Sequence, residues 1–464
     1  MRASVPLISA KPLSATPVAR RFYEGAGAGR RWHGVPEMAS AVSAQIAAAP
    51  ILARRARALV ANNAHANSGV EAWVSALVGT GLKVQSGNHP ALAVAFEGWT
   101  DYADADRLTD FYGLQAAAVR SMVINGEAFA LLTEYGEIRL IDPEQVDRSL
   151  SRDIGGGARI VNGVEFASDG RRIAYHIRQD TPGLPFAISY ETIRVPAAQV
   201  LHLFRPLTAG QVRGVSWFAP ILLRLADYDA AIDAQLVRQK ISAMFAGFVT
   251  DAKGEAGGFD GTVKEPVLQA EFEPGTLSVL GPGQDIRFSE PATIGAEAIG
   301  FLKIARSEIA AGLGIPNHVL SGDLSDANYG SLRAGLIEWR RRVEAIQHGV
   351  IVFQLCRPVW QHWLLRRALS GGPEMGSFFR DPRPFENASW ITPRFDWIDP
   401  LKDAEAEIAA IGAGLMSRRQ AVAARGYDVE KLDEEIAADN RRAAALGLSF
   451  NAARPRQVET GAAA

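Results

Sequence analysis

The oxygen-rich stretch DLSDANYG at 323–330 is the part of the sequence whose side chains are best suited to binding a ligand. Closely spaced carboxylates, hydroxyls and amides can form a calcium-binding loop, in which a bidentate glutamate completes the coordination sphere. Here the ligand spacing is wrong and the terminal glutamate is absent. The sequence therefore predicts no calcium site, and these residue types are instead typical of a polar loop between helices.

Motifs of nucleotide, metal and hydrolase chemistry are missing from the sequence. GxxxxGK[ST], HExxH and GxSxG do not occur, and the GAGAG at 25–29 is not GxGxxG and follows no predicted strand. None of the eight histidines has a partner at metal-ligand spacing, and the single cysteine, Cys356, allows neither a disulfide nor a cysteine-based metal site. We therefore predict a protein that is not an enzyme and that uses no cofactor.

The overall composition, 48% hydrophobic and 22% charged over 464 residues, is that of a soluble globular protein with room for two or three domains. A formal net charge of −2 argues against a generally basic protein that wraps nucleic acid, but it allows a surface that touches DNA transiently. No apolar run of about 18 residues is present, so no membrane span is predicted. The N-terminus carries no signal-peptide pattern, which predicts synthesis in the cytoplasm without secretion.

A very long helix is expected directly after the polar loop, from Tyr329 to Leu369. It would be on the order of 60 Å long at about 1.5 Å per residue, and Pro358 predicts a kink in it. Cys356 is expected in its buried face. Steps of four and three predict a continuous apolar seam, formed by Leu332, Leu336, Trp339, Val343, Ile346, Val350 and Phe353. A rod of this length is more typical of a large assembly than of a small enzyme.

Two further long helices are predicted before the loop, at Pro220–Phe245 and Ala296–Leu313. Between them, Lys253–Glu290 is punctuated by Gly and Pro and predicts a small insertion with strands at 276–280 and 285–288.

The amino-terminal part predicts an α+β body. Two helical pieces lie between 37 and 78, with Asn67 or Ser68 as the expected N-cap of the second piece. The following strands, separated by closely spaced turn signals such as Tyr135-Gly136, predict an antiparallel sheet rather than βαβ units. Helices are expected again after Pro400.

Five segments, in this order, resemble the portal proteins of tailed bacteriophages, in particular the lambda-like portal family. They are NNAHANSGVEAWVSALVGTGLKVQS (62–86), GEAFALL (126–132), GQVRGVSWFAPILLRLADYDAAIDAQL (210–236), GLGIPNHVLSGDLSDANYGSLRAGLIEWRR (312–341) and FDWIDPLKDAEAE (395–407). Each segment is moderately specific and the set is highly specific, with the resemblance covering about 62–448.

The resemblance implies an α+β portal fold that assembles as a ring and contains a mixed α/β wing, a helical stem, a small α/β clip, a long kinked helix and a helical crown. The parts are expected as follows: a flexible N-terminal arm at 1–34, the wing at 35–210, the first stem helix at 211–250, the clip at 251–292, the second stem helix at 293–314, the tunnel loop at 315–329, the long kinked helix and wing return at 330–399, and the crown with its C-terminal tail at 400–464.

Portal proteins form a ring, usually of twelve subunits, at one capsid vertex. The resemblance therefore implies a head-tail connector of the virion, made in the cytoplasm of the bacterial host, through which double-stranded DNA is packaged and ejected. The implied partners are other copies of the chain, the DNA, the large terminase, head-completion or adaptor proteins, and the major capsid or scaffolding protein. No membrane contact is implied.

The residues expected to line the DNA channel lie in the tunnel loop and on the stem. The loop candidates are Asn317, His318, Ser321, Asp323, Ser325, Asp326, Asn328 and Tyr329. Because no Lys or Arg lies among them, we expect steric or polar contacts with DNA rather than a grip on phosphates. The stem candidates are Arg238, Lys240, Lys303 and Arg306, for which intersubunit salt bridges or exposure to solvent are equally compatible with the sequence.

Two alternatives remain at this stage. The same fold could serve a gene-transfer particle or a defective prophage, which the sequence does not distinguish from an intact phage. A soluble enzyme that processes nucleic acid is disfavoured because its motifs are missing.

Overall fold

The structure is a computed structural model that describes residues 38, 40–85, 89–180, 188–243, 247–251, 284–288, 295–325, 328–393 and 400–448. The predicted arm, most of the clip including its strand at 276–280, Asp326, the end of the wing return at 394–399, and the tail beyond 448 lie outside these residues. The described part confirms a mixed α+β architecture.

The first part of the chain is largely helical, the middle part is rich in β-strands, and the remainder is again largely helical. The elements before the stem are α1 (Ala41–Asn62), α2 (Ala64–Leu77), β1 (Lys83–Gln85), α3 (Pro90–Thr100), α4 (Phe111–Asn125), β2 (Glu127–Leu132), β3 (Ile138–Ile141), β4 (Arg152–Gly155), β5 (Ala158–Val161), β6 (Val164–Phe166), β7 (Arg172–Asp180), β8 (Ile188–Pro196) and β9 (Val200–Phe204). The remaining elements are α5 (Leu222–Ala243), β10 (Gly247–Asp251), β11 (Gln284–Phe288), α6 (Ala296–Leu313), α7 (Asn317–Ser321), α8 (Tyr329–Ile346), α9 (Arg357–Leu369), α10 (Arg383–Glu386), β12 (Ser389–Ile391), α11 (Pro400–Gly412), α12 (Arg418–Ala423) and α13 (Val429–Ala445).

The β-structure of the amino-terminal body is antiparallel, as predicted. One sheet has the order β3-β2-β9 and another the order β4-β5-β6-β7-β8. The predicted hairpin turn at Tyr135-Gly136 joins β2 to β3, and Gly136 adopts the left-handed conformation that the turn requires, with φ of 86°. β1 pairs with the distant β12, so the chain after the long helix returns to the body.

The N-cap of α2 differs from the expectation. Asn63, rather than Asn67 or Ser68, caps the helix by accepting a hydrogen bond from the backbone N–H of Ala66. The apolar face of α2 begins at Ala66, which is buried, so the helix starts one turn earlier than the polar run suggested. A capping side chain satisfies N–H groups that would otherwise lack partners at the first turn.

The core of the body is rich in aromatic side chains, and Phe96 on α3 lies at its centre. Its ring contacts those of Trp360 and Trp363 at centroid distances of 5.1 and 5.2 Å, both edge to face. Such pairs add to the area that each ring buries. The long helix is therefore an integral part of the body core at its α9 end.

The second of the two long helices predicted before the loop is α6, whose bounds are those expected, whereas α5 begins at Leu222 instead of Pro220. Arg224 and Glu308 face each other across the pair, 3.8 Å apart. At the far ends of the two helices, β10 pairs with β11 in an antiparallel hairpin-like ladder, Gly247 opposite Phe288. These two strands are the described part of the segment expected as the clip.

The long helix contains an unexpected ten-residue π-helical segment, Gln347–Cys356, between α8 and α9. The predicted seam holds through Val350 but ends at Phe353, which is 60% exposed, while Ile351, Val352, Leu355 and Cys356 are buried. Bonding from i to i+5 takes up more residues in each turn, so the inward face moves along the sequence. Pro358 lies in the first turn of α9, directly after the π-helical segment, and the backbone before it at Cys356 and Arg357 is already helical. A bend at Pro358 stays a prediction.

The segment expected as the tunnel loop begins with a short helix. Pro316 precedes α7 with φ of −61°, and Gly322 ends it in the left-handed conformation with φ of 69°. Among its described residues, Ile315, Pro316 and those from Gly322 to Asn328 are therefore without regular structure.

Candidate functional site

The polar loop starts from a firmly held junction between α6 and α7. Trp73 of α2 donates from Nε1 to the carbonyl of Leu313 at 3.2 Å, and Arg342 of α8 donates to the carbonyl of Gly314 at 2.8 Å. Both carbonyls belong to the end of α6, where intrahelical donors run out. Side chains from two other helices thus fix the point at which the chain leaves the stem.

The short helix α7 packs directly on α2. Leu320 is buried, and its carbonyl accepts a hydrogen bond from Ser68 Oγ at 2.8 Å. Gly69 lets the end of α6 lie close to α2, because a Cβ there would be 2.4 Å from Leu313 Cδ2. The first half of the predicted tunnel loop is therefore part of the body. We define residues 322–328 as the loop tip, of which 322–325 and 328 lie in the described part of the chain.

An ion pair ties the loop tip to the stem. Arg306 Nη2 lies 3.0 Å from Asp323 Oδ2, and the Arg306 side chain is only 16% exposed. Hydrogen bonds from Ser325, through its side chain and backbone N–H, together with Arg306 hold the pKa of Asp323 well below its usual range. The charge of Asp323 is thus compensated within the chain, which leaves Asp326 as the only other charged residue in the sequence of the tip.

The other candidate loop residues have local structural roles or lie near the junction. Asn328 caps α8 by accepting from the N–H of Ser331 at 2.8 Å, and Ser321 Oγ donates to the carbonyl of Asn317 at 2.8 Å. Asn317 Oδ1 is buried and has no hydrogen-bond partner. Burial lowers the pKa of His318, which favours its neutral form. Tyr329 begins α8.

The four stem cations do not form one patch. Arg238 and Lys240 are exposed near the far end of α5, whereas Lys303 and Arg306 are half-buried on α6. Arg306 is committed to Asp323, so its charge is not available to a phosphate while that pair persists. The proposal that these four residues face DNA is therefore weakest for Arg306.

A buried charged cluster in the wing was not predicted from the sequence. Glu127, at the start of β2, is fully buried and accepts hydrogen bonds from Arg213, from the N–H of Gly214 at 3.0 Å, from His202 Nε2 at 3.1 Å and from Arg148. Arg213 Nη2 lies 2.6 Å from Glu127 Oε1. The sequence did contain one indication of this cluster, a carboxylate at the start of an otherwise apolar strand. Such a group is rarely buried without a partner.

The protonation states in this cluster follow from its geometry. Burial would raise the pKa of Glu127, but Arg213, His202 and Arg148 outweigh burial and hold it well below its usual range. Burial lowers the pKa of His202 to about 4. Because the Glu127 carboxylate only accepts, neutral His202 donates from Nε2 and its Nδ1 accepts from the Tyr175 hydroxyl at 3.3 Å.

Arg213 also connects separate elements of the wing. Its guanidinium donates to the backbone carbonyls of Pro143, Val146 and Asn162 at 2.7, 2.9 and 3.2 Å. The cluster therefore joins the two sheets to the segment that leads into the stem.

Within the described residues, no group of three or more His, Cys, Asp or Glu side chains could hold a metal ion. Among the same residues, no helix is long and apolar enough to span a membrane. Cys356 is fully buried, and burial raises the pKa of its thiol.

Comparison with known proteins relates the chain to phage portals. Residues 28–347 match the model of the family "Phage portal protein, lambda family". The chain is 24% identical to portal protein B of Escherichia phage lambda, with 95% of this chain and 93% of that protein covered, and 24% identical to the portal protein of Escherichia phage N15, with 92% and 91% covered. It is 26% identical to the probable portal protein of Halomonas phage phiHAP-1, covering 67% of this chain and 61% of that protein.

Matches among solved structures include a particle neck and a portal. The neck of a native gene transfer agent (GTA) particle, computed with C12 symmetry, matches with a TM-score of 0.46 and 14% identity, covering 79% of this chain and 91% of that one. An HK97-family portal protein from Corynebacterium diphtheriae matches with a TM-score of 0.27 and 12% identity, covering 57% and 82%. The family match covers well over half of the sequence, and the chain therefore belongs to the lambda family of phage portal proteins, non-enzymatic structural components of the virion.

Proposed function

We propose that this chain forms the portal ring at one capsid vertex, with about twelve copies around a channel for double-stranded DNA. The ring would dock the large terminase during packaging and then head-completion or adaptor proteins. It would contact the major capsid or scaffolding protein around its outer edge. The observation that carries the proposal is the family match over residues 28–347.

Exposed apolar side chains on both stem helices support assembly with further copies. Leu223 on α5 is 75% exposed, and Phe301 and Ile304 on α6 are 64% and 65% exposed. Large apolar groups of this kind, grouped on one helix pair, are typical of surfaces that are buried on association. A closed ring requires different surfaces of one subunit to meet those of the next.

The charge of the loop tip supports a role in guiding DNA rather than gripping it. Each phosphate neutralised by Lys or Arg adds affinity that must be broken for DNA to move. The described part of the tip holds Asp323, whose charge is compensated by Arg306. We infer that loop tips from all copies surround DNA closely at the narrowest part of the channel without binding it strongly.

The particle mass of the purified full-length chain tests the ring directly. Native mass spectrometry or light scattering is expected to give about twelve times the chain mass of 49.9 kDa. Small departures from twelve remain compatible with a ring assembled outside the capsid. A chain that stays monomeric at micromolar concentration would contradict the proposal.

Shortening the loop tip is expected to impair packaging while rings still form. The variant replaces residues 322–327 with a shorter Gly-Ser link and keeps both Leu320, which anchors α7, and the Asn328 cap. We expect packaged DNA, measured as nuclease-protected genome, to fall by an order of magnitude, because the tip no longer reaches the DNA. The control replaces the same residues with a Gly-Ser segment of equal length. It keeps the distance that the loop can span and removes only the side-chain contacts. Loss of the ring in the shortened variant would show that the tip is structural.

A further inference from the structure

A cleft of about 620 Å³ opens between three elements that include neither the loop tip nor α5 and α6. Its walls are the end of α3, the β2–β3 turn and the end of α9. This volume lies within the range of natural binding sites, which is about 300 to 1,000 Å³. The cleft has no part in the loop tip or the stem, so an inference from it does not rest on the ring.

The floor of the cleft is made of two tryptophans that the core holds rigidly. Trp99 packs against Phe96 at a centroid distance of 5.0 Å, and Trp363 stacks on Trp360 at 5.2 Å. Rigid aromatic anchors lose little freedom when a partner binds. Tyr135 and Leu369, which are 89% and 63% exposed, form the rim.

The cleft contains one cation without an intramolecular partner. Arg366 has no carboxylate within ion-pair distance among the described residues, although its stem packs over Gly136, where a Cβ would lie 3.6 Å from Arg366 Cγ. The adjacent Arg367 is paired with Glu374 at 2.7 Å. The only acidic lining residue, Glu134, is exposed at the turn. A half-buried, unpaired guanidinium favours a carboxylate supplied by a partner.

Trp, Tyr and Arg are the residues most enriched where protein partners bind tightly, and this cleft combines all three. We propose that it is a docking site for an acidic peptide segment of a partner protein. The segment inserts an apolar or aromatic side chain between Trp99 and Trp363 and places a carboxylate on Arg366.

Selection of random twelve-residue peptides displayed on yeast, with the purified full-length chain as bait, tests this site without knowledge of the natural partner. Enriched peptides are expected to carry Leu, Phe or Trp next to Asp or Glu. Arg366→Ala is expected to weaken their binding about tenfold or more, because a hydrogen bond to a charged group is lost. Arg357→Ala, at an exposed cation at the start of α9, is the matched control and should leave binding unchanged.

Gly98→Leu provides a second variant that preserves the fold. A Cβ at Gly98 meets no atom within 4 Å, so the leucine can enter the cleft mouth without displacing the core, and binding is expected to be lost. Gly335→Leu on α8, where a Cβ is equally free, is the control.

Three results would overturn the proposal. The selection could enrich no peptide above background, or the enriched peptides could bind equally well to the Arg366→Ala and Gly98→Leu variants. The selection could also enrich basic peptides whose binding depends on Glu134. A chain that failed to form a ring would leave the expected peptide binding unchanged, so the two proposals fail separately.

Discussion

Glu127→Gln is expected to lower the free energy of unfolding of the wing by about 3–5 kcal/mol, because it leaves buried cations without their counter-charge. The side chains of Glu127 and Arg213 are 0% and 2% exposed, so water cannot replace the lost partner. Arg148 loses the same carboxylate. The measurement is the shift in the denaturant midpoint of the wild-type and variant chains, followed by near-ultraviolet circular dichroism.

Asp106→Asn is the matched control in the same body. Asp106 pairs with Arg139 at 3.1 Å, but both side chains are about half exposed. Exposed pairs of this kind contribute roughly 0–1 kcal/mol, so the midpoint should hardly move. Equal effects of the two substitutions would show that the Glu127 cluster does not hold the wing together.

The same cluster predicts a loss of stability on acidification. The folded-state pKa of His202, about 4, is below its unfolded value of 6.5, so the unfolded chain binds the proton more readily. This contribution is complete above pH 6.5 and falls as the pH is lowered towards 4, by about 2 kcal/mol at pH 5. Protonation of Glu127 acts in the same direction at lower pH, since its pKa is also depressed. His202→Gln should flatten the difference in unfolding free energy between pH 7.5 and pH 5, and an unchanged difference would contradict the assignment.

Phe301→Glu combined with Ile304→Glu is expected to abolish ring formation while the monomer stays folded. Both side chains are about two-thirds exposed on α6, so the charges cost little within one chain. Buried in a subunit interface without partners, the same carboxylates would each carry a large desolvation penalty. Native mass spectrometry should show monomers, and the far-ultraviolet circular dichroism of the variant should match that of the wild-type chain.

Val94→Glu is the control for this second prediction. Val94 on α3 is 61% exposed, similar to Ile304, but it lies on the wing. This variant should still form rings. If the double variant also assembles with the wild-type mass, α6 does not contribute its apolar face to the subunit interface.

Periodicity alone determined the helices and strands that bury a regular face. The bounds of α6 agree with the sequence prediction, and the antiparallel order of the strands followed from the short turns between them. The absence of catalytic motifs and the family resemblance could also be read from the sequence. These signals are local, since each depends on residues within one or two turns of each other.

The pairing of charges was decided only by the tertiary structure. Glu127 and Arg213 are 86 residues apart, and nothing in either neighbourhood indicates that they meet. Arg306 was predicted as a candidate contact for DNA, but the fold brings Asp323 to it. Ion pairs across elements depend on how whole helices and sheets are arranged, which no short window of sequence contains.

The polar stretch at 323–330 shows most clearly which features the sequence predicts and which only the tertiary structure reveals. Its residue types predicted a polar loop between helices, and the described residues from Gly322 to Asn328 have no regular structure. Only the burial of Leu320, and the hydrogen bond that its carbonyl accepts from Ser68, showed that the residues of α7 before Gly322 belong to the body. Likewise, the sequence predicted one continuous apolar seam along the long helix. The π-helical segment at Gln347–Cys356 ends that seam, because its i to i+5 hydrogen bonds change which residues face the core.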